Sequence, residues 1–307
     1  MAAVARPFRF AVIARWAGGG RRWHEFARRA EGQGYDTLLI TDHLGAQLAP
    51  VPAMMAAADA TTRLRVGSFV FANDYRNPVM LAKEIATLDV LSAGRVEWGL
   101  GAGWSVPDYR QLGITYEPAA VRVSRFEEAV VLIKRLLTEE TVDHHGRYYN
   151  VRGAHLLPRP TQRPHPPLIV GGGSPRVLRI AAREADVVSF VPGFDARGRP
   201  RFDKLRMSAL ASQIERFEKH RGDREVDLNV WLMDAGVTDR ARSPIAALAT
   251  RLRWGVNSLI GSPYVLYGSR SSLGDLLRER RERYGLNYVS IPGGAMDAFA
   301  PVLADLR

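Results

Sequence analysis

LSAGRVEWGLGAGW, residues 91–104, holds a turn, an apolar run and then a cluster of glycines. The run from Val96 to Leu100 reads as a buried strand, because it is apolar without clean alternation and follows a turn signal. Gly99, Gly101, Ala102 and Gly103 then strip side chains away where that strand ends. Glycine weakens a strand, so such a cluster marks a close approach to the backbone.

Working outward, runs of the same kind recur along the chain. Strands are predicted near 8–14 (FRFAVIA), 37–41 (TLLIT), 65–71 (RVGSFVF) and 95–101 (RVEWGLG). Four more fall near 168–172 (LIVGG), 187–191 (VVSFV), 226–233 (VDLNVWLM) and 288–292 (YVSIP). Most are apolar throughout, as parallel strands covered by helices are. The segments between them carry helical stripes, as in WHEFARRAEGQ (23–33) and PVMLAKEIATLDVL (78–91). In 118–138, Val123, Phe126, Val130, Ile133 and Leu137 keep one face toward a core. Eight βα repeats without a linker predict an α/β fold, a TIM-type (β/α) eight-stranded barrel in one domain over 1–307. The interval after strand four is roughly twice the usual length and contains an extra helix and the proline-rich LLPRPTQRPHPP. Residues 105–167 are therefore expected to form an insertion that walls off a site.

Composition narrows the function classes. Apolar residues make up 46% of the 307 and charged residues 24%, the balance of a soluble globular protein. No cysteine is present, which excludes disulfides, thiolate metal sites and a cysteine nucleophile. The N-terminal MAAVARPFRF lacks a long apolar stretch and no run approaches a bilayer span, so a cytoplasmic protein without a membrane partner is expected. The net charge of +11 comes almost wholly from arginine, with four lysines. Those arginines are scattered through helical patterns instead of forming a tail, so no nucleic-acid partner is expected. His144-His145 has no further ligands at metal-binding spacing, and no metal site is expected.

Barrel chemistry sits at the C-terminal ends of the strands. Strand two ends in Asp42-His43, an acid or base with a carboxylate neighbour, although the same pair suits a plain polar strand terminus. Strand five ends in Gly171-Gly172-Gly173-Ser174-Pro175 and runs straight into the helical RVLRIAARE. A glycine turn before a Ser-capped, Pro-opened helix presents backbone N–H groups to a phosphate, with Arg176 nearby; it equally suits a tight turn with an ordinary cap.

Taken together, GYDTLLITDHL (34–44), RLRVGSFVFANDYRNPVMLAKEIATLDVLSAGRVEWGLGAGW (63–104) and PPLIVGGGSPRVLRIAAREAD (166–186) resemble the luciferase-like superfamily of flavin- and deazaflavin-dependent oxidoreductases. The likeness is greatest to the branch using the deazaflavin coenzyme F-420. The resemblance implies a ring lying across the strand ends, against Gly101, Ala102 and Gly103. It implies a non-prolyl cis peptide within Ser68–Val70, at Phe69–Val70, behind that ring, and Asn73 bonded to the ring. Gly172, Gly173 and Ser174 match the phosphate turn, with Arg176 beside it, and other basic residues at the mouth are expected to meet the anionic tail. Asp42 and His43 match the Asp-His pair of deazaflavin members, His43 acting at the reacting centre and Asp42 orienting it or holding the ring. Sugar-phosphate dehydrogenases of the family carry a Glu where this chain has Trp104 and a Trp where it has Gln47. These departures point to an aromatic pocket in which Trp104 and Trp16 pack on the substrate.

The activity implied is hydride transfer between coenzyme F-420 and a small organic substrate at a C=C, C=N or C=O bond. An FMN-dependent monooxygenase using O2 and a non-catalytic flavin-binding barrel are the alternatives. Dimers are common in the family, so a homodimer is also expected.

Overall fold

The protein is described by a computed structural model that covers residues 6–15, 18–193, 195 and 201–307. Trp16 and most of the 192–200 loop therefore lie outside the described residues. In chain order, β1 (Arg9–Ala14) and α1 (Gly20–Gly32) precede β2 (Thr37–Ile40) and α2 (Pro50–Asp59). Next come β3 (Arg65–Ser68), the short β4 (Phe71–Ala72), α3 (Pro78–Leu91) and β5 (Val96–Gly101). α4 (Val106–Leu112), α5 (Ala119–Thr138) and an antiparallel hairpin of β6 (Val142–His145) and β7 (Asn150–Ala154) then intervene. The barrel resumes with β8 (Leu168–Gly172), α6 (Pro175–Glu184), β9 (Val187–Phe190), α7 (Met207–Arg221) and β10 (Asp227–Trp231). The final stretch holds β11 (Asp234–Val237), α8 (Arg242–Leu252), the one-turn α9 (Val256–Leu259), β12 (Val265–Gly268), α10 (Arg270–Tyr284), β13 (Leu286–Pro292) and α11 (Met296–Asp305).

The main sheet runs β3-β2-β1-β13-β10-β9-β8-β5-β4 and closes through β3–β5, where Val66 pairs with Val96. All its pairings are parallel, and β3 and β4 act as one interrupted strand, so the fold is a closed eight-stranded (β/α) barrel. All eight predicted strands are present. Sequence reading missed the β6–β7 hairpin, whose alternation is polar, and the short β11–β12 pair between β10 and β13.

Alternation along the strands sorts two cores. Phe10, Val12, Leu38, Val66, Trp98, Leu168, Val170, Val188 and Val230 pack outward beneath the helices. Ala11, Ile13, Leu39, Ile169, Val187 and Tyr288 fill the barrel interior. A polar layer closes the N-terminal end: the fully buried Glu97 accepts from Arg9, from Arg65 Nε at 2.6 Å and from the Tyr288 hydroxyl at 3.3 Å. Arg9 in turn binds Asp227 at 2.7 Å. Higher up, Ser189, Asn229 and Ser290 satisfy one another at 2.7 and 2.8 Å.

Between β3 and β4 the chain leaves the ladder, and the Phe69–Val70 peptide bond is cis, as the resemblance implied. The Ser68 hydroxyl takes over the lost ladder bonds, donating to the Gly99 carbonyl at 2.9 Å and accepting its N–H at 2.8 Å. Val70 thereby points into the barrel. A Cβ on Gly99 would lie 2.6 Å from Val70 Cγ1, and one on Gly101 would lie 2.8 Å from Cγ2. Gly171 faces the same side chain from β8, where a Cβ would stand 3.4 Å from Cγ1. What approaches the bare backbone of the opening stretch is thus the protein's own valine, carried there by the bulge.

Candidate active site

The C-terminal rim is assembled from the ends of β2, β4, β5 and β8. His43 follows β2, and its Nδ1 lies 2.6 Å from Asp108 Oδ2 on α4. Pro107 at the start of that helix fixes its first turn, which carries Asp108. The Tyr75 hydroxyl reaches the same oxygen at 3.3 Å, and the Leu44 N–H approaches Oδ1 at 3.5 Å. Burial alone would push the Asp108 carboxyl up, but hydrogen bonds from His43 and Ser105 outweigh it and hold the group below the ordinary carboxylate range. An ionised carboxylate only accepts, so His43 Nδ1 carries the proton and Nε2 is left as the free ring nitrogen. Burial also raises the Tyr75 phenol far above its usual value, with the Asp108 charge adding to the effect, so it stays a donor.

Asp42 does something else. Its carboxylate accepts the Ala72 N–H at 2.9 Å and forms a two-point pair with Arg76 at 2.6 and 3.1 Å. It bolts the end of β2 to β4, while the orienting contact to His43 comes from Asp108. Gln47 closes the same corner through two 2.5 Å bonds with Thr41.

Trp104 stands beside His43, with ring centroids 5.3 Å apart and an edge-on angle of 77°. It borders a cleft of about 490 Å³ shared with Tyr116, Glu117, Pro118, Ala119, Arg122 and Asp195. Arg122 is buried and spends its N–H groups on the protein. It donates to the carbonyls of Glu117 at 2.9 Å and Ala102 at 3.2 Å, to that of Gly103, and to the Tyr116 hydroxyl at 3.0 Å. The Ala102-Gly103 turn is therefore clamped. Gly103 has φ +76°, and the Tyr109 hydroxyl stands where its Cβ would be.

Asn73, directly after β4, is buried, and its amide nitrogen donates to Asp74 at 3.3 Å and to the Tyr149 hydroxyl at 3.1 Å. Asp74 is clamped by Arg125 at 2.7 and 2.8 Å and accepts the Tyr109 hydroxyl at 2.8 Å. Burial and this bond both raise the Tyr109 phenol.

On the far rim, Gly171, Gly172 and Gly173 are half-buried main chain. A Cβ on Gly172 would strike Val177, and one on Gly173 would strike the Val191 carbonyl and Gln213, so neither place admits a side chain. Ser174 caps α6 by accepting the Val177 N–H. Arg176 turns away from this turn, to Glu127 at 2.7 Å and Ser124 at 2.8 Å on α5. Of the residues singled out in the sequence, His43 and Trp104 stand side by side and the two glycine turns follow β5 and β8, whereas Asp108, Arg122, Arg125 and Tyr149, which brace this rim, were not singled out. A Pro-opened helix with an acid in its first turn, right after a strand end, is the one signal that pointed to Asp108.

The sequence profile of the luciferase-like monooxygenase family matches residues 8–218. An F-420-dependent glucose-6-phosphate dehydrogenase from Beutenbergia cavernae is 32% identical over 238 residues, which are 75% of this chain and 67% of the relative. A dimethylsulfone monooxygenase from Pseudomonas putida, dependent on reduced FMN, is 29% identical over 61% of this chain and 53% of its own. Against two further dehydrogenases of the first kind the match spans 62% and 52% of the relative's length. In three dimensions an F-420-dependent secondary alcohol dehydrogenase superposes with a TM-score of 0.79 at 19% identity, covering 98% of this chain and all of the other. That likeness bears on the fold. With its bulged third strand, two glycine turns and closed parallel sheet, the chain belongs to the luciferase-like monooxygenase family.

Proposed function

We propose that the protein is an F-420-dependent oxidoreductase that moves a hydride between the deazaflavin and a small organic substrate at a C=C, C=N or C=O bond. The observation that carries the reading is the His43–Asp108 pair on the rim of a barrel whose relatives include F-420-dependent dehydrogenases. The residues present suit the cofactor. The half-exposed Phe69 and Val70 offer an apolar floor, and Ala102 continues it, with Gly101 packed beneath Val70. Gly172, Gly173 and Ser174 would take the phosphate, because side chains are excluded there and α6 starts at that point. Arg176 is not counted in this set, being held by Glu127, and Arg122 is committed to carbonyls. No basic residue described at the mouth is therefore assigned to the tail.

When bound, the deazaflavin supplies the hydride chemistry. Asp108, 2.6 Å from Nδ1, fixes the tautomer and orientation of His43. In substrate oxidation Nε2 takes the hydroxyl proton, and in reduction the protonated ring returns one at the same nitrogen. Asp42 and Arg76 keep β2 and β4 in register beneath the site, and Trp104 lays an apolar wall beside His43. A phosphorylated sugar has no free cation to meet among the described cleft residues, so the substrate class proposed is uncharged and flat enough to lie on Trp104.

The test is anaerobic. Reduced F-420 is incubated with a panel of aldehydes, ketones, imines and activated alkenes, and reoxidation is followed by absorbance. Turnover without oxygen supports the proposal. Reaction only with reduced FMN and O2 would make the protein a monooxygenase, the second reading, which the Pseudomonas putida relative favours.

A further inference from the structure

We infer that Tyr149, on the β6–β7 hairpin, is a cofactor-recognition residue that works as a couple with Asn73; this rests on the flavin or deazaflavin reading above. The Asn73 amide has one orientation available. Asp74, clamped by Arg125, is an acceptor, so the amide atom beside it must be the nitrogen. The second N–H of that nitrogen goes to the Tyr149 hydroxyl at 3.1 Å. Both amide protons are thus spent, and the Asn73 carbonyl oxygen has no donor among the described residues. The Tyr149 hydroxyl, having accepted, gives its own proton to no described acceptor, and burial keeps it a donor by raising its ionisation above the usual range.

The rim therefore presents an acceptor and a donor side by side at the end of β4. A pyrimidinedione edge offers the complement, an imide N–H next to a carbonyl. Other ligand edges without that N–H leave the Asn73 oxygen unpaired, which is costly at a buried position. The hairpin that carries Tyr149 is itself fastened. Glu128 on α5 accepts the N–H groups of Arg147, Tyr148 and Tyr149 at 3.1, 3.1 and 2.8 Å, and pairs with His144 at 3.1 Å. Arg122, Arg125 and Glu128 sit at three-residue steps on one helix. They hold the β5 turn, Asp74 and the hairpin turn respectively, so α5 sets the spacing of the couple.

The experiment is fluorescence titration of the full chain with the deazaflavin riboside and with its derivative methylated on the imide nitrogen, beside coenzyme F-420 itself. Wild type is expected to bind the riboside at least tenfold tighter than the methylated form. Tyr149→Phe should weaken riboside binding roughly five- to twentyfold and narrow that preference, with the melting temperature unchanged. Equal losses for both ligands would mark a merely structural role and overturn the inference, as would wild-type behaviour of the variant. Wild type that binds F-420 without preferring the unmethylated riboside overturns this inference alone. Wild type that binds neither F-420 nor FMN overturns the functional reading as well.

Discussion

At the scale of single residues, the site turns on which carboxylate meets His43. Asp42 is the neighbour in sequence, but consecutive residues leaving a strand diverge, and its oxygens are taken by Arg76 and the Ala72 N–H. Asp108, far along the chain, makes the 2.6 Å contact. His43→Ala should lower kcat by about 10²–10⁴-fold, the usual share of a general acid or base. Asp108→Asn should lower it by roughly 10²-fold with KM little changed, because the amide can stabilise the wrong tautomer. Combining the two should cost little more than His43→Ala alone, since they act as one unit. Steady-state kinetics on the three variants checks this, and a loss with Asp42→Asn that exceeds that of Asp108→Asn would reverse the assignment. The sequence made His43 and Trp104 legible because strand ends locate barrel chemistry. It hid the pairing with Asp108, because that residue lies 65 positions along on a separate helix, and the Pro-opened start of the helix does not say which side chain its acid meets.

At the scale of elements, the bulge between β3 and β4 and the glycines of β5 explain each other. The glycines of residues 99–103 read as a place of close approach, and that reading holds. The visitor was the harder inference: Val70 reaches Gly99, Gly101 and Gly171 only because the chain leaves the ladder at Phe69–Val70. Gly101→Ala should destabilise by about 1–3 kcal/mol through overpacking, and Val70→Ala in the same chain should restore part of the loss. Thermal melting of the single and double variants decides the point; additive losses would show that the two positions do not share space. The eight strands were legible for an equally physical reason, since most are short runs dominated by apolar residues, as strands covered by helices require. The hairpin was not, because its residues alternate between polar kinds and its anchors, Glu128 and Asn73, lie on other elements.

At the scale of the whole molecule, the barrel is closed at one end by ions and open to chemistry at the other. Glu97 joins Arg9, Arg65 and Tyr288 in the polar plug. Glu97→Ala leaves two arginines without their shared partner and should cost about 3–5 kcal/mol, visible in a denaturant midpoint. Glu31, Asp108, Glu127 and Glu128 are all held below the ordinary carboxylate range; burial opposes this in each, and hydrogen bonds outweigh it. A depressed folded-state pKa contributes stability above the unfolded value and loses it as pH falls. Stability should therefore drop progressively below about pH 4.5, and Asp108→Asn should shallow that slope. Among the described residues no helix is long and apolar enough to cross a membrane.

The central claim is that the rim between the β5 and β8 glycine turns takes a deazaflavin. Fluorescence titration of the purified chain with oxidised coenzyme F-420 and, separately, with FMN tests it most directly. Saturable binding of F-420 that is tighter than binding of FMN, and weakened by a bulky substitution such as Gly173→Val in a folded variant, is the predicted result. Tight FMN binding with F-420 ignored would contradict it.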